Sequence, residues 1–264
     1  MNARVFRIGQ IVPSSNTTME TEIPAMFRAR EVRCPSEKFT FHSSRMRMRR
    51  VSAEELAAMN AEGIRCATEL ADAKVDVMST ACLVAIMVQG PGYHRSVEED
   101  MRRAVSDASA LSKVMTSAGA LIYGLKKIGA KKISLLAPYI KPLTEKVVAY
   151  IESEGVEVVD RICFEIPDNL EVGRRDPMQL AEDVKTLNTA NVDAVVLSAC
   201  VQMQSLSAIE PVERRLGIPV TSTAVCTVRT MLDLLGLEPF VPNAGRLLAK
   251  PELSASAVWP PVLA

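Results

Sequence analysis

The sequence predicts an α/β fold of two similar lobes, each a short parallel sheet flanked by helices, and three repeated patterns carry that prediction. The first is an apolar, β-branched run ending in small polar residues and a cysteine. It occurs as Val75-Asp76-Val77-Met78-Ser79-Thr80-Ala81-Cys82 and again as Val192-Asp193-Ala194-Val195-Val196-Leu197-Ser198-Ala199-Cys200. Such runs read as buried parallel strands, and each would deliver a thiol at its C-terminal end. The second pattern lies upstream, where Phe6 to Val12 closes on Pro13 and Ile133 to Ala137 closes on Pro138. The third lies downstream: Val114-Met115-Thr116-Ser117 and Val220-Thr221-Ser222-Thr223 each precede an apolar helix ending near Gly129 and Gly236. Three matched pairs in the same order indicate a duplicated unit. Residues 1–117 with 224–264 would form one lobe and residues 118–223 the other, with the two thiols facing one another.

Each element follows from local signals. The first strand ends at Pro13, and Ser14-Ser15-Asn16-Thr17-Thr18 forms a polar loop able to cap the next helix. Pro24 is expected to stop or kink that helix. Lys38 to His42 reads as a second strand, followed by an arginine-rich loop at Arg45, Arg47, Arg49 and Arg50. Ser52-Ala53-Glu54-Glu55 has the form of a capping box opening a helix to about Leu70, in which Cys66 is a small core residue. After Cys82, Leu83 to Val88 begins a helix that Gly90-Pro91-Gly92 stops, and Ser96-Val97-Glu98-Glu99 reads as another cap. The second unit is expected to run as a strand to Ala137, a helix around Glu145 to Ser153 and a strand from Val156 to Phe164. A long loop through Pro167-Asp168-Asn169 and a helix from about Pro177 to Leu187 follow. Pro211 and Pro219 bracket a short helix, Cys226 to Leu235 forms the last long one, and beyond Pro239 the chain reads as a tail with little chemistry.

Composition narrows the function. A chain of 264 residues that is 48% hydrophobic can fill two cores. Thirty-one basic against 31 acidic side chains argue against a nucleic-acid footprint, and the arginine cluster lacks interleaved aromatics, so it reads as a solvated loop. No apolar run reaches the ~20 residues that span a bilayer, and the N-terminus enters a strand without the apolar stretch of a signal peptide. The six cysteines, at 34, 66, 82, 163, 200 and 226, form no CxxC, which fits reduced thiols in a cytoplasm. Only His42 and His94 could supply imidazoles, and neither stands at a zinc-ligand spacing from a cysteine.

Chemistry is therefore expected where the strands end, since ligands of parallel α/β sheets bind outside the carboxyl ends and helix N-termini there offer N–H groups. A thiol at a helix N-terminus ionises more easily, so Cys82 and Cys200 are candidates for a nucleophile or base that needs no histidine. The N–H groups of Leu83, Val84, Val201 and Gln202 would hold a carboxylate or oxyanion. The plainer alternative is that buried cysteines after strands are ordinary core residues. Asn16 likewise has two readings, a helix cap or a side-chain amide reaching a ligand.

Val12-Pro13-Ser14-Ser15-Asn16-Thr17-Thr18-Met19-Glu20, Ser79-Thr80-Ala81-Cys82-Leu83-Val84-Ala85-Ile86-Met87 and Ser198-Ala199-Cys200-Val201-Gln202-Met203 together resemble bacterial maleate cis-trans isomerases, within the aspartate/glutamate racemase superfamily. The resemblance covers about residues 5 to 250. It implies lobes related by a pseudo-two-fold with the active site between them, a homodimer, no cofactor and a small dicarboxylate substrate. It makes Cys82 the nucleophile, Cys200 the acid/base partner, and Asn16, Tyr139 and Asn169 substrate-holding residues. Taken by itself, Tyr139 could simply pack beside Pro138, and Asn169 could be a turn former. Attack of Cys82 on one olefinic carbon of maleate would give a succinyl thioether in which rotation is free. Two other readings stay open at this point: a two-cysteine racemase or related decarboxylase, and a ligand-binding or redox-sensing protein with facing cysteines.

Overall fold

The structure, a computed structural model, describes residues 3–48, 53–108 and 110–250. Among these, eight strands form two parallel sheets. The strands are β1 (Arg4–Pro13), β2 (Glu37–Met46), β3 (Val77–Thr80), β4 (Lys113–Thr116), β5 (Lys132–Ala137), β6 (Glu157–Cys163), β7 (Ala194–Ser198) and β8 (Val220–Ser222). The first sheet has the order β2-β1-β3-β4 and the second β6-β5-β7-β8, so the second repeats the first strand for strand. β3 and β7 are buried along their whole length. That is why each reads as a continuous apolar run rather than an alternating one: helices cover both faces of the sheet.

Those helices are α1 (Met19–Arg33), α2 (Ala53–Asp72), α3 (Leu83–Met87), α4 (Tyr93–Asp107), α5 (Ser117–Ile128), α6 (Lys141–Ser153), α7 (Asn169–Arg174), α8 (Gln179–Asp183), α9 (Leu206–Leu216) and α10 (Thr223–Leu235). The two strand-to-helix junctions singled out as a repeat are built alike. Thr116 Oγ1 accepts from the Gly119 N–H at 2.9 Å, Ser222 Oγ accepts from the Val225 N–H at 3.3 Å, and both helices end on a left-handed glycine, Gly129 or Gly236. α5 and α10 pack closely, since a Cβ added at Gly124 would collide with Cys226 Sγ.

Several local expectations give way to packing. Pro24 and Pro211 are each the sixth residue of a helix that continues through them, α1 to Arg33 and α9 to Leu216. A proline there removes one hydrogen bond. The buried faces around it, Ile23, Met26 and Phe27 in α1 and Ala208, Ile209 and Val212 in α9, hold the helix to its sheet. Ser96 is not a cap but lies inside α4, which starts after Gly92 in the left-handed region. Glu98 instead turns its carboxylate to the Thr116 N–H and hydroxyl. The loop expected at Pro167-Asp168-Asn169 becomes the start of α7, because Asp168 accepts the N–H groups of Leu170 and Glu171. The helix expected to Leu187 ends as α8 plus a 3-10 turn at Val184–Thr186.

Ser52 of the capping box, Arg49 and Arg50 of the basic cluster and the tail from residue 251 lie outside the described residues. Between Pro239 and Lys250 the chain folds back, burying Val241, Ala244, Leu247 and Leu248. Arg30, itself buried, donates to the Glu238 and Phe240 carbonyls and pairs with Glu37. Among the described residues no helix is long and apolar enough to cross a membrane, and no group of three or more His, Cys, Asp or Glu could hold a metal ion.

Candidate active site

In the first sheet Ile11 stands opposite Thr80 and Thr80 opposite Thr116; in the second Leu135 stands opposite Val196 and Ser198 opposite Ser222. These registers bring the segments that follow the strands to one edge of each sheet. Cys82 follows β3 and opens α3 with φ 76° and ψ 74°, a left-handed conformation that side-chain-bearing residues seldom adopt. In this sharp turn the Ala85 N–H points back to the sulfur.

Cys200 occupies the matching place after β7, but the expectation of a helix directly after it is corrected. Val201 and Gln202 lie in a turn and α9 begins only at Leu206. Ser198 Oγ sets that turn, standing 2.8 Å from the Cys200 carbonyl and 2.9 Å from that of Met203. The Gln202 N–H donates to Cys200 Sγ at 3.4 Å.

The Cys200 sulfur is close enough for its charge to be felt at Cys82, and both sulfurs act on the Tyr139 hydroxyl. That hydroxyl donates to the Ala199 carbonyl at 3.1 Å, beside Cys200. The expected low thiol pKa is a second correction. Burial pushes Cys82 up to about 12, with the neighbouring Cys200 adding to it against the Ala85 N–H. Burial also raises Cys200, against the Tyr139 hydroxyl and the Gln202 and Met203 N–H groups. Tyr139 is held well above its ordinary 10.0 by burial and then by the two thiols. A few backbone dipoles do not offset the loss of water around a thiolate. Both shifts favour the thiol over the thiolate, so ionisation of Cys82 precedes its attack. Neither histidine assists: His42 bonds Thr40 Oγ1 at 3.0 Å and His94 bonds the Tyr150 hydroxyl.

The donors expected around the thiols also have structural duties. Asn16 Oδ1 accepts from the Thr18 and Met19 N–H groups, both at 2.9 Å, which caps α1 and turns the amide NH2 the other way. Asn169, at the start of α7, donates through Nδ2 to Ser15 Oγ at 2.9 Å, which uses one of its two hydrogens. Leu83 and Val84 are the first residues of α3, with buried side chains; their N–H groups are those that a helix start leaves to other partners.

Gln202 departs most from expectation, because its buried side chain stitches the two halves together. Oε1 accepts from the Thr17 N–H at 2.8 Å while Nε2 donates to the Asn169 carbonyl at 2.6 Å, and its own carbonyl accepts from Thr18 Oγ1 at 2.8 Å. Gly173 makes this possible, since a Cβ there would stand 2.6 Å from both Gln202 Nε2 and Thr17 Oγ1. Arg45 supports the same loop, donating to the Asn16 carbonyl at 2.5 Å and pairing with Glu20 at 2.9 Å. Sequence reasoning missed Ser15, Thr17, Thr18, Gly173 and the supporting role of Arg45. The adjoining hydroxyls in Ser14-Ser15-Asn16-Thr17-Thr18 were the available signal, but those of Ser15, Thr17 and Thr18 find partners more than 150 positions away.

Comparison with known proteins places this geometry. A sequence model of the family described as arylmalonate decarboxylase matches residues 8–248. The chain is 59% identical over 247 residues to a maleate isomerase of Geobacillus stearothermophilus, covering 94% of this chain and 98% of that one. Among solved structures it resembles a cysteine-to-alanine variant of the maleate isomerase Iso from Pseudomonas putida with maleate, at TM-score 0.92 and 54% identity, covering 93% and 98% of the two chains. It also resembles a cysteine-to-serine variant of Nocardia farcinica maleate cis-trans isomerase with a covalently bound succinylcysteine intermediate. There the TM-score is 0.89 and the identity 46%, covering 93% of this chain and 98% of that one.

Proposed function

The chain belongs to the arylmalonate decarboxylase family and, within it, to the maleate isomerases, and from that premise we propose that Cys82 and Cys200 together carry its reaction. The reaction is the cis-trans isomerisation of maleate, a small dicarboxylate, to fumarate through a covalent succinyl-cysteine. The observation that supports the pair is geometric: the two thiols follow corresponding strands of the repeated sheets, and the Tyr139 hydroxyl bonds to the Ala199 carbonyl beside one of them.

One proton first leaves the pair, giving the Cys82 thiolate. Its sulfur bonds to one olefinic carbon, the π electrons move to the other carbon, and Cys200 delivers a proton there. The resulting C–C single bond rotates. Cys200 then takes the proton back, the C–S bond breaks, and fumarate leaves with Cys82 again a thiolate. The substrate carboxylates would be held by the Leu83, Val84 and Val201 N–H groups, the Asn16 NH2, the second hydrogen of the Asn169 amide and the Tyr139 hydroxyl once it turns from the Ala199 carbonyl. Neutral donors suit a carboxylate that swings during rotation better than a bidentate guanidinium would. The homodimer implied by the sequence resemblance belongs to this proposal and is tested by light scattering. So does a cytoplasmic location, which six free thiols support.

The test follows maleate and fumarate by NMR in single variants. Cys82→Ser abolishes turnover, because a serine hydroxyl is far less acidic and no histidine is placed to activate it. Serine at Cys34, Cys66, Cys163 or Cys226 leaves turnover in place. Cys200→Ser accumulates an adduct heavier by one diacid, mapped to Cys82 by mass spectrometry; an adduct on Cys200 would reverse the two roles.

A further inference from the structure

Glu22 stands in the first turn of α1, in the half of the molecule that carries Cys82, and is 7% exposed. Its carboxylate crosses to the other half. Oε1 accepts the Ser205 N–H at 2.7 Å, the Leu206 N–H at 2.6 Å and the Ser205 hydroxyl at 3.3 Å, so it caps α9 at the end of the turn that begins at Cys200. Together with the bonds from Thr17 and Thr18 to Gln202, this fastens the stretch from Cys200 to Leu206 to the start of α1 at three points. Oε2 is also buried and has no hydrogen-bond partner among the described residues.

A buried, half-satisfied carboxylate is costly, because desolvation opposes its charge. Burial raises Glu22 above its ordinary 4.5, against the Ser205 and Leu206 bonds. A cap alone does not require this: serine or aspartate at the helix's own N-cap does the same work without burying a charge from another element. What the position adds is a link between the two thiol-bearing segments. Cys200 feels the Glu22 charge, and its other titratable neighbours are Tyr139, in the loop after β5, and Cys82, at the end of β3.

We propose that Glu22 is a positioning residue for the isomerisation: a carboxylate from one half that fixes the place of Cys200 in the other and the charge beside which it works. The proposal rests on Cys200 being the acid/base partner of Cys82. A negative charge near Cys200 favours its protonated form, which the step after attack requires. Two thiols that match by strand are thus made unlike by what stands behind one of them.

The experiment compares Glu22→Gln and Glu22→Ala in the full chain. Turnover of maleate is measured beside the rate at which iodoacetamide alkylates Cys200, read by peptide mass spectrometry across pH. Glu22→Gln keeps an acceptor for Ser205 and Leu206 but loses the charge. It should fold normally, shift Cys200 alkylation toward lower pH and lower kcat with little change in KM. Glu22→Ala should lose about a hundred-fold in kcat, the scale expected when a reacting group is misplaced by an ångström. Wild-type kcat and a wild-type Cys200 alkylation profile in Glu22→Gln would overturn the proposal, whatever happens to the stability of Glu22→Ala. Because alkylation is read on Cys200 without substrate, a shifted profile with unaltered kcat would reject instead the acid/base role of Cys200, and with it this proposal.

Discussion

Tyr139 carries one hydroxyl into a buried place beside both thiols, and nothing else about the side chain is polar. Tyr139→Phe keeps the ring and its packing. Losing a donor to a charged oxygen costs about 1.5–3 kcal/mol, so kcat/KM for maleate should fall roughly ten- to two-hundred-fold while the far-ultraviolet circular dichroism stays unchanged. Wild-type kinetics would reduce Tyr139 to a packing residue bonded to the Ala199 carbonyl. Gly173 offers a second test at the same scale. Its backbone conformation is helical and tolerates any residue, so Gly173→Ala acts only through space, driving a methyl into Gln202 and Thr17. Those atoms cannot move without breaking the bonds between the halves. Gly173→Ala should therefore lower kcat/KM although the substitution favours the helix by itself; unchanged activity would mean that the Gln202 bridge adapts freely.

Among the elements, α5 and α10 show what a repeated junction is worth. Each starts on a hydroxyl cap directly after a strand and ends on a left-handed glycine. Ser222→Ala removes the cap of α10, and its replacement should cost ~1 kcal/mol, read as a lower denaturant midpoint with an unchanged slope. Thr116→Ala should cost more than Ser222→Ala. Thr116 Oγ1 also donates to the half-buried Glu98 carboxylate at 2.9 Å, which would be left with only the Thr116 N–H. Equal losses would mean that Glu98 finds water instead. The prolines within α1 and α9 make the complementary point, that a helix held down by a buried face survives a breaker that sequence rules would have end it.

The whole molecule has an alkaline limit set by its buried thiols. Cys82 and Cys226 are both pushed from 9.0 up to about 12 by burial. Between those values the folded chain holds protons that the unfolded chain has released, so stability falls as pH rises through that window; below about 9 these groups take nothing away. The melting temperature of the native chain should therefore decline from pH 9 upward. Cys226→Ser, which removes one of these titrations at a site away from the proposed chemistry, should start lower yet decline less steeply. Parallel curves would show that Cys226 does not ionise on unfolding.

Most strand and helix ends were legible in the chain, because they depend on near neighbours. Apolar runs closed by Pro13, Cys82, Pro138 and Cys200 mark strands, glycines 129 and 236 mark helix ends, and their recurrence in order marks a duplication. A strand followed by a cysteine is also enough to place a thiol at a sheet edge. Only the tertiary structure decided how the two thiols differ: a left-handed turn and a short helix after Cys82, and a turn tied to the other half after Cys200. The same holds for the direction of their pKa shifts, which local signals put on the wrong side. Periodicity and caps act over a few residues, whereas desolvation depends on all the atoms that exclude water. The bond from Glu22 to Ser205 joins residues 183 positions apart, at a separation over which no pattern in the chain can be read.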